Sequence, residues 1–164
     1  MTDLSAYDRF ATDPLVLAQD GLATVHQLHD IGCASYVVAE RCRPGGSWQR
    51  VLPRVVLLRV DAPPTPHQRL RAALLYAGPD ALLTGEAALS LYGADQARTP
   101  ATLTAVPKVD VLVVHAVHPR SHAYVRVHRT RRPAPRVAVQ GLPCAPLPRA
   151  AADASVTCPV RTTQ

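Results

Sequence analysis

The spacing of apolar positions changes along this chain, and the changes divide it. In DPLVLAQDG, residues 13–21, Asp13 stands at a helix N-cap, Pro14 takes the first helical position and Gly21 follows the end. In LATVHQLHDIG, residues 22–32, Thr24 and Gln27 make a capping box, Val25 and Leu28 set an apolar face, and Gly32 ends a second helix. A turn through Cys33 and Ala34 leads into SYVVAERCR, residues 35–43, where Val37, Val38 and Ala39 keep helical spacing until Pro44 and Gly45 stop it. Two apolar runs follow at 48–52 and 55–60, with Pro53 and Arg54 at the turn between them, which predicts a hairpin. Short helix, helix, turn, helix, hairpin is the order of a winged helix-turn-helix, here over residues 13–60.

DAPPTP at 61–66 reads as a stiff, proline-rich linker. Beyond it, HQRLRAALLYAGP, residues 67–79, predicts an amphipathic helix with Leu70, Leu74 and Leu75 inward, and ALLTGEAALSLYG, residues 81–93, predicts another that closes at Gly93. From Val109 the period becomes two: VDVLVVHAV, AYVRVHRT and RVAVQG read as strands, and PRAAADA opens a helix. The expected fold is α/β of the α+β kind: a winged helix, then a small helix-plus-sheet domain at 67–155 and a tail at 156–164.

Charge turns this outline toward a partner. The chain carries a formal charge of +6, and every basic residue except Lys108 is arginine, the side chain suited to planar contacts with phosphates and carboxylates. Residues 1–40 hold six acids against Arg9 alone, residues 41–60 hold five arginines and no acid, and residues 115–149 are again acid-free with seven arginines. Two segregated basic blocks point to a polyanion, most simply double-stranded DNA. In a winged helix the third helix enters the major groove and the wing follows the backbone. The candidate DNA-binding residues are therefore Ser35, Tyr36, Arg41 and Arg43 on that helix and Gln49, Arg50 and Arg54 on the wing, with Trp48 anchoring the hairpin against the helices. In the second block, Arg126, Arg129, Arg131 and Arg132 are candidates for gripping phosphates or an acidic protein surface.

Other chemistries find little support. Early acids at Asp3 and Asp8 argue against a signal peptide, and no uncharged apolar run reaches the ~18 residues of a membrane helix, so a cytoplasmic location with no membrane partner is expected. Cys33, Cys42, Cys144 and Cys158 form no CxxC pair and are expected to be reduced. His26, His29 and Cys33 fall near one helical face, but Gly32 interrupts it, and ordinary packing accounts for them without a metal. Pro79, Asp80 and Glu86 match the acidic half of a PD-(D/E)xK nuclease without its lysine. No nucleophile elbow, P-loop or dinucleotide fingerprint occurs, so neither a cofactor nor an enzyme is expected. Seven aromatic residues are too few for a single-strand stacking platform.

Three segments in order, GSWQRVLP at 46–53, QRLRAALLYAGPDALLTGEAALSLYG at 68–93 and VRVHRTRRPAPRVAVQGLPCAPLPRAAADA at 125–154, together with TVHQLHDIG, resemble the AbiEi-like antitoxins and winged-helix regulators of bacterial type IV toxin-antitoxin systems. The resemblance covers about residues 20–155. It implies a winged helix that binds its own promoter and an α/β domain that antagonises a nucleotidyltransferase-type toxin. The function expected is thus a non-enzymatic DNA-binding transcriptional regulator, the autorepressing antitoxin of such a system. The alternative is a protein-interaction module that has lost DNA binding and uses its Arg-rich strands on an acidic partner.

Overall fold

The computed structural model describes residues 9–93 and 108–157. The chain is mixed α+β and divides into two compact units, the first through Tyr76 and the second from Ala77. Asp3, Asp8, Cys158 and all of the tail beyond Thr157 lie outside the described residues.

In the first unit, a helical turn at 9–11 precedes α1 (Pro14–Ala18), β1 (Leu22–Thr24), α2 (Val25–Asp30), α3 (Ser35–Arg41), β2 (Gln49–Leu52), β3 (Val55–Leu57) and α4 (Pro66–Ala77). The local signals act as their chemistry dictates. Asp13 caps α1 by accepting from Leu15 N at 2.9 Å, with Pro14 at the first helical position. Thr24 Oγ1 accepts from Gln27 N at 3.1 Å while Gln27 Oε1 accepts from Thr24 N at 2.9 Å, a complete capping box. The strand β1 is not signalled in the sequence, whose period there reads as helix. Its Leu22 and Ala23 are fully buried and pair antiparallel with Leu57 and Val56, giving a three-stranded sheet of order β1-β3-β2. Phe10, Val16, Leu28, Val38, Trp48 and Val56 meet in the core.

The linker does not end this unit. Thr65 and Gln68 form a second capping box, and α4 then docks onto Asp20: Gln68 Nε2 donates to its carbonyl at 2.8 Å, and Arg71 Nε lies 2.5 Å and His67 Nδ1 3.2 Å from its carboxylate. The helix expected to open the second domain at 67 therefore belongs, through Tyr76, with the first.

The second unit holds β4 (Leu82–Leu83), α5 (Gly85–Tyr92), β5 (Val109–Val114), β6 (Val125–Thr130), β7 (Val137–Val139), β8 (Leu142–Cys144) and α6 (Leu147–Thr157). The sheet runs β6-β5-β4-β8-β7, with β5 parallel to β6, β4 parallel to β8 and the other two pairs antiparallel. Central β5 is buried on both faces, which is why it reads as a nearly continuous apolar run. The short strands β4 and β8 escape periodicity because two or three residues carry no period. Helices α5 and α6 pack together, and Thr84 Oγ1 donates to Asp153 of α6 at 2.6 Å.

Gly85, fully enclosed at the start of α5, has φ +57°, and a Cβ there would sit 3.1 Å from Asp110 Oδ2 and 3.3 Å from Asp110 Cβ. Both the left-handed backbone and the crowding oppose a side chain. Gly85→Ala is expected to cost about 2 kcal/mol, read by urea unfolding of the full chain. A loss under about 0.5 kcal/mol, the range of an indifferent surface change, would refute the close approach.

Candidate nucleic-acid interface

Helix α3 buries Val38 and exposes Ser35, Tyr36, Ala39 and Glu40, with Arg43 exposed one turn further on. Spacings of three and four put these on one helical face. Tyr36 is 76% exposed, a large aromatic open to solvent on this face. The turn before α3 is tight: Gly32 adopts φ +89°, and Cys33 N donates to Leu28 O at 2.8 Å, which buries the Cys33 side chain at 1% exposure.

The seven residues expected to touch DNA separate into three kinds. Ser35 and Tyr36 lie on the open face of α3, and Arg50 and Arg54 are exposed on the hairpin with no acidic partner among the described residues. Arg43 is exposed but is bound to Glu40, Nη1 to Oε1 at 2.9 Å, so the open face of the helix carries its cation and an acid together. Such an exposed pair contributes little stability. Arg41 and Gln49 are occupied by the fold. Arg41 Nη1 donates to Ser47 Oγ at 2.9 Å and its carbonyl accepts from Trp48 N at 3.0 Å, so this residue brackets the end of α3 to the start of the hairpin. Gln49 Nε2 donates to the carbonyls of Arg59 and Ala62 at 3.0 and 2.9 Å, tying the hairpin to the segment that follows it.

Arg54 occupies the hairpin turn at φ +62°. With Pro53 before it, this is the arrangement of a type II turn, whose third position favours glycine. The turn thus presents a guanidinium at the tip in a conformation that most side chains avoid.

The second basic block is divided by strand alternation. Arg126 and His128 share a face of β6, and both reach the buried Asp110 of β5: His128 Nε2 lies 2.6 Å and Arg126 Nη1 3.5 Å from Asp110 Oδ1. Arg129, on the other face, donates to Pro119 O at 3.2 Å, and Arg131 and Arg132 are exposed past the strand end. Arg126 therefore compensates an interior carboxylate and does not share a surface with Arg129. The sequence contained the signal, a single acid inside the apolar strand VDVLVV, since a buried carboxylate demands a partner. Part of the outer edge of β6 is covered by residues 121–122: Ser121 Oγ accepts from Val127 N at 3.0 Å and His122 bridges to Val125.

The thiols are quiet. Burial pushes Cys144 up to about 11, and desolvation also raises Cys33 and Cys42, which keeps all three protonated and poorly nucleophilic. His26 is exposed beside Asp30 at 3.6 Å while Cys33 is buried, so these residues do not converge. Among the described residues, no group of three His, Cys, Asp or Glu could hold a metal, and no helix is long and apolar enough to cross a membrane. Neither a family model nor a curated protein sequence matches this chain.

Proposed function

We propose that the chain is a non-enzymatic DNA-binding transcriptional regulator whose first unit acts as a winged helix, α3 entering the major groove and the β2–β3 hairpin serving as the wing. The observation that carries this reading is the bracket at Arg41. It ties a helix with an open Ser35–Tyr36 face to a hairpin whose Arg50 and Arg54 have no acidic partner among the described residues. Phosphate contacts from the hairpin would set the register, and the helix would read base edges. The role of autorepressing antitoxin against a nucleotidyltransferase-type toxin extends this reading from the family resemblance, with the exposed Arg129, Arg131 and Arg132 as the toxin-facing cations.

Glu40 makes the test sharp. With Arg50 and Arg54 at phosphates and Arg43 held by Glu40, log K should fall with log salt at a slope of about −1.8. Glu40→Gln removes an acid from the DNA face and frees Arg43, so affinity for promoter-derived duplex should rise about fivefold at low salt, on the scale of one screened charge contact. Fluorescence anisotropy across a salt series measures both. A flat salt response, or a Glu40→Gln variant that binds more weakly, would sink the reading. Glu40 itself favours one rival, an interaction module that uses the Tyr36–Glu40–Arg43 face on a protein; that rival predicts no duplex binding even at low salt.

A further inference from the structure

We propose that a cleft in the second unit, at the carboxyl ends of the parallel strands β5 and β6, binds a free apolar α-amino acid such as L-leucine, holding its ammonium, carboxylate and side chain at three separate places. The cleft encloses about 270 Å³. That is near the lower end of small-molecule sites and on the scale of one large amino acid rather than a cofactor. Its apolar floor is Leu82 and Leu112, which belong to one buried cluster, with the partly buried Ala134 packed against it. The charged lining is Asp80 and Arg136.

The relation of those two charges carries the inference. Arg136 Nη2 donates to the carbonyl of Pro79 at 2.7 Å, the residue next to Asp80, yet the two side chains form no ion pair. Asp80 is exposed and pairs with no cation among the described residues. A carboxylate and a guanidinium that line one cleft, the guanidinium already held by the backbone carbonyl beside the carboxylate's residue, are close enough in the fold for one small ligand to meet both. Left apart, they match a ligand that carries both complementary charges a short distance from one another. The α-ammonium and α-carboxylate of an amino acid have that relation, whereas the donor edge and phosphate of a nucleotide lie much further apart. Arg131 and Arg132, exposed between the lining residues Thr130 and Pro133, bias the rim toward an anion and so toward the carboxylate end. An apolar side chain then covers Val114, Pro133 and Ala134, the parts of the apolar lining still open to water. Guanidinium to carboxylate and carboxylate to ammonium are charge-assisted contacts, which fix orientation as well as affinity. The proposal is independent of the DNA reading, which concerns the other unit.

The test is ligand-observed NMR on the full chain with L-leucine, N-acetyl-L-leucine, L-leucinamide, glycine and guanosine monophosphate. L-leucine should bind with a dissociation constant below ~1 mM. Removing the ammonium by acetylation, the carboxylate by amidation, or the side chain in glycine should each weaken binding tenfold or more. Asp80→Asn and Arg136→Gln should do the same, with unchanged circular dichroism as the fold control. The ligand series needs no variant and so decides the matter even if a variant misfolds. No binding of L-leucine at ~10 mM, leucinamide binding as tightly as leucine, or guanosine monophosphate binding in its place would each overturn the assignment.

Discussion

Trp48→Ala is expected to remove about 3–5 kcal/mol from the first unit, most of what a unit of this size possesses. Trp48 is 5% exposed and meets Phe10 edge to face, with ring centroids 6.3 Å apart at 87°. Around them Val16, Leu28, Val38 and Val56 close the core, so truncation opens a cavity that three helices and the sheet share. The edge-to-face pair adds about 1 kcal/mol beyond buried area. Because the backbone of the same residue is bonded to Arg41 O at 3.0 Å, loss of the ring also loosens the start of the hairpin. Thermal melting followed by circular dichroism should show the first unit's transition falling by 10 °C or more, roughly the shift that 3 kcal/mol gives in a small domain. Trp48→Phe should recover a good part of it. If melting were unchanged while duplex binding vanished, the indole would be a DNA contact and not a core anchor.

What the sequence revealed about this fold, and what it concealed, follows from the range of the interactions involved. The cap at Asp13, the capping box at Thr24 and Gln27 and the stop at Gly93 are legible because each is completed within four residues. Strand β1 is hidden because its pairing partner, β3, lies more than thirty residues away and because Thr24 serves at once as strand end and helix cap. The placement of α4 depends on Asp20, about fifty residues upstream, which no local pattern records. The same distinction sorts the candidate site. Exposure of Ser35 and Tyr36 follows from helical spacing around Val38, whereas the engagement of Arg41 by Ser47 and of Gln49 by two distant carbonyls is tertiary. Composition alone grouped Arg126 with Arg129; strand alternation and the buried Asp110 separate them.

The close approach at Gly46 gives a prediction that joins fold to function. A Cβ on Gly46 would lie 2.1 Å from Arg41 O, 2.7 Å from Arg41 C and 2.9 Å from Arg43 O, all of them backbone atoms that cannot swing aside. Gly46→Ala must therefore push the hairpin away from the last turn of α3. That movement strains the Trp48 N to Arg41 O bond and the Arg41 to Ser47 bond that hold the two elements together. The expected cost is about 2–4 kcal/mol, the upper range for overpacking against rigid neighbours. Gly45 is the internal control: it has φ +79° but nothing within 4 Å of its Cβ position, so Gly45→Ala meets only the left-handed backbone penalty of about 1–2 kcal/mol. Duplex affinity separates the variants further. At a temperature where both are folded, Gly46→Ala should bind promoter duplex at least tenfold more weakly than Gly45→Ala, because only it displaces Arg50 and Arg54 relative to the Tyr36 face. Were the two alanine variants equal in stability and in binding, the contact between Gly46 and Arg41 would not be what sets the hairpin, and helix and hairpin would not work as one surface.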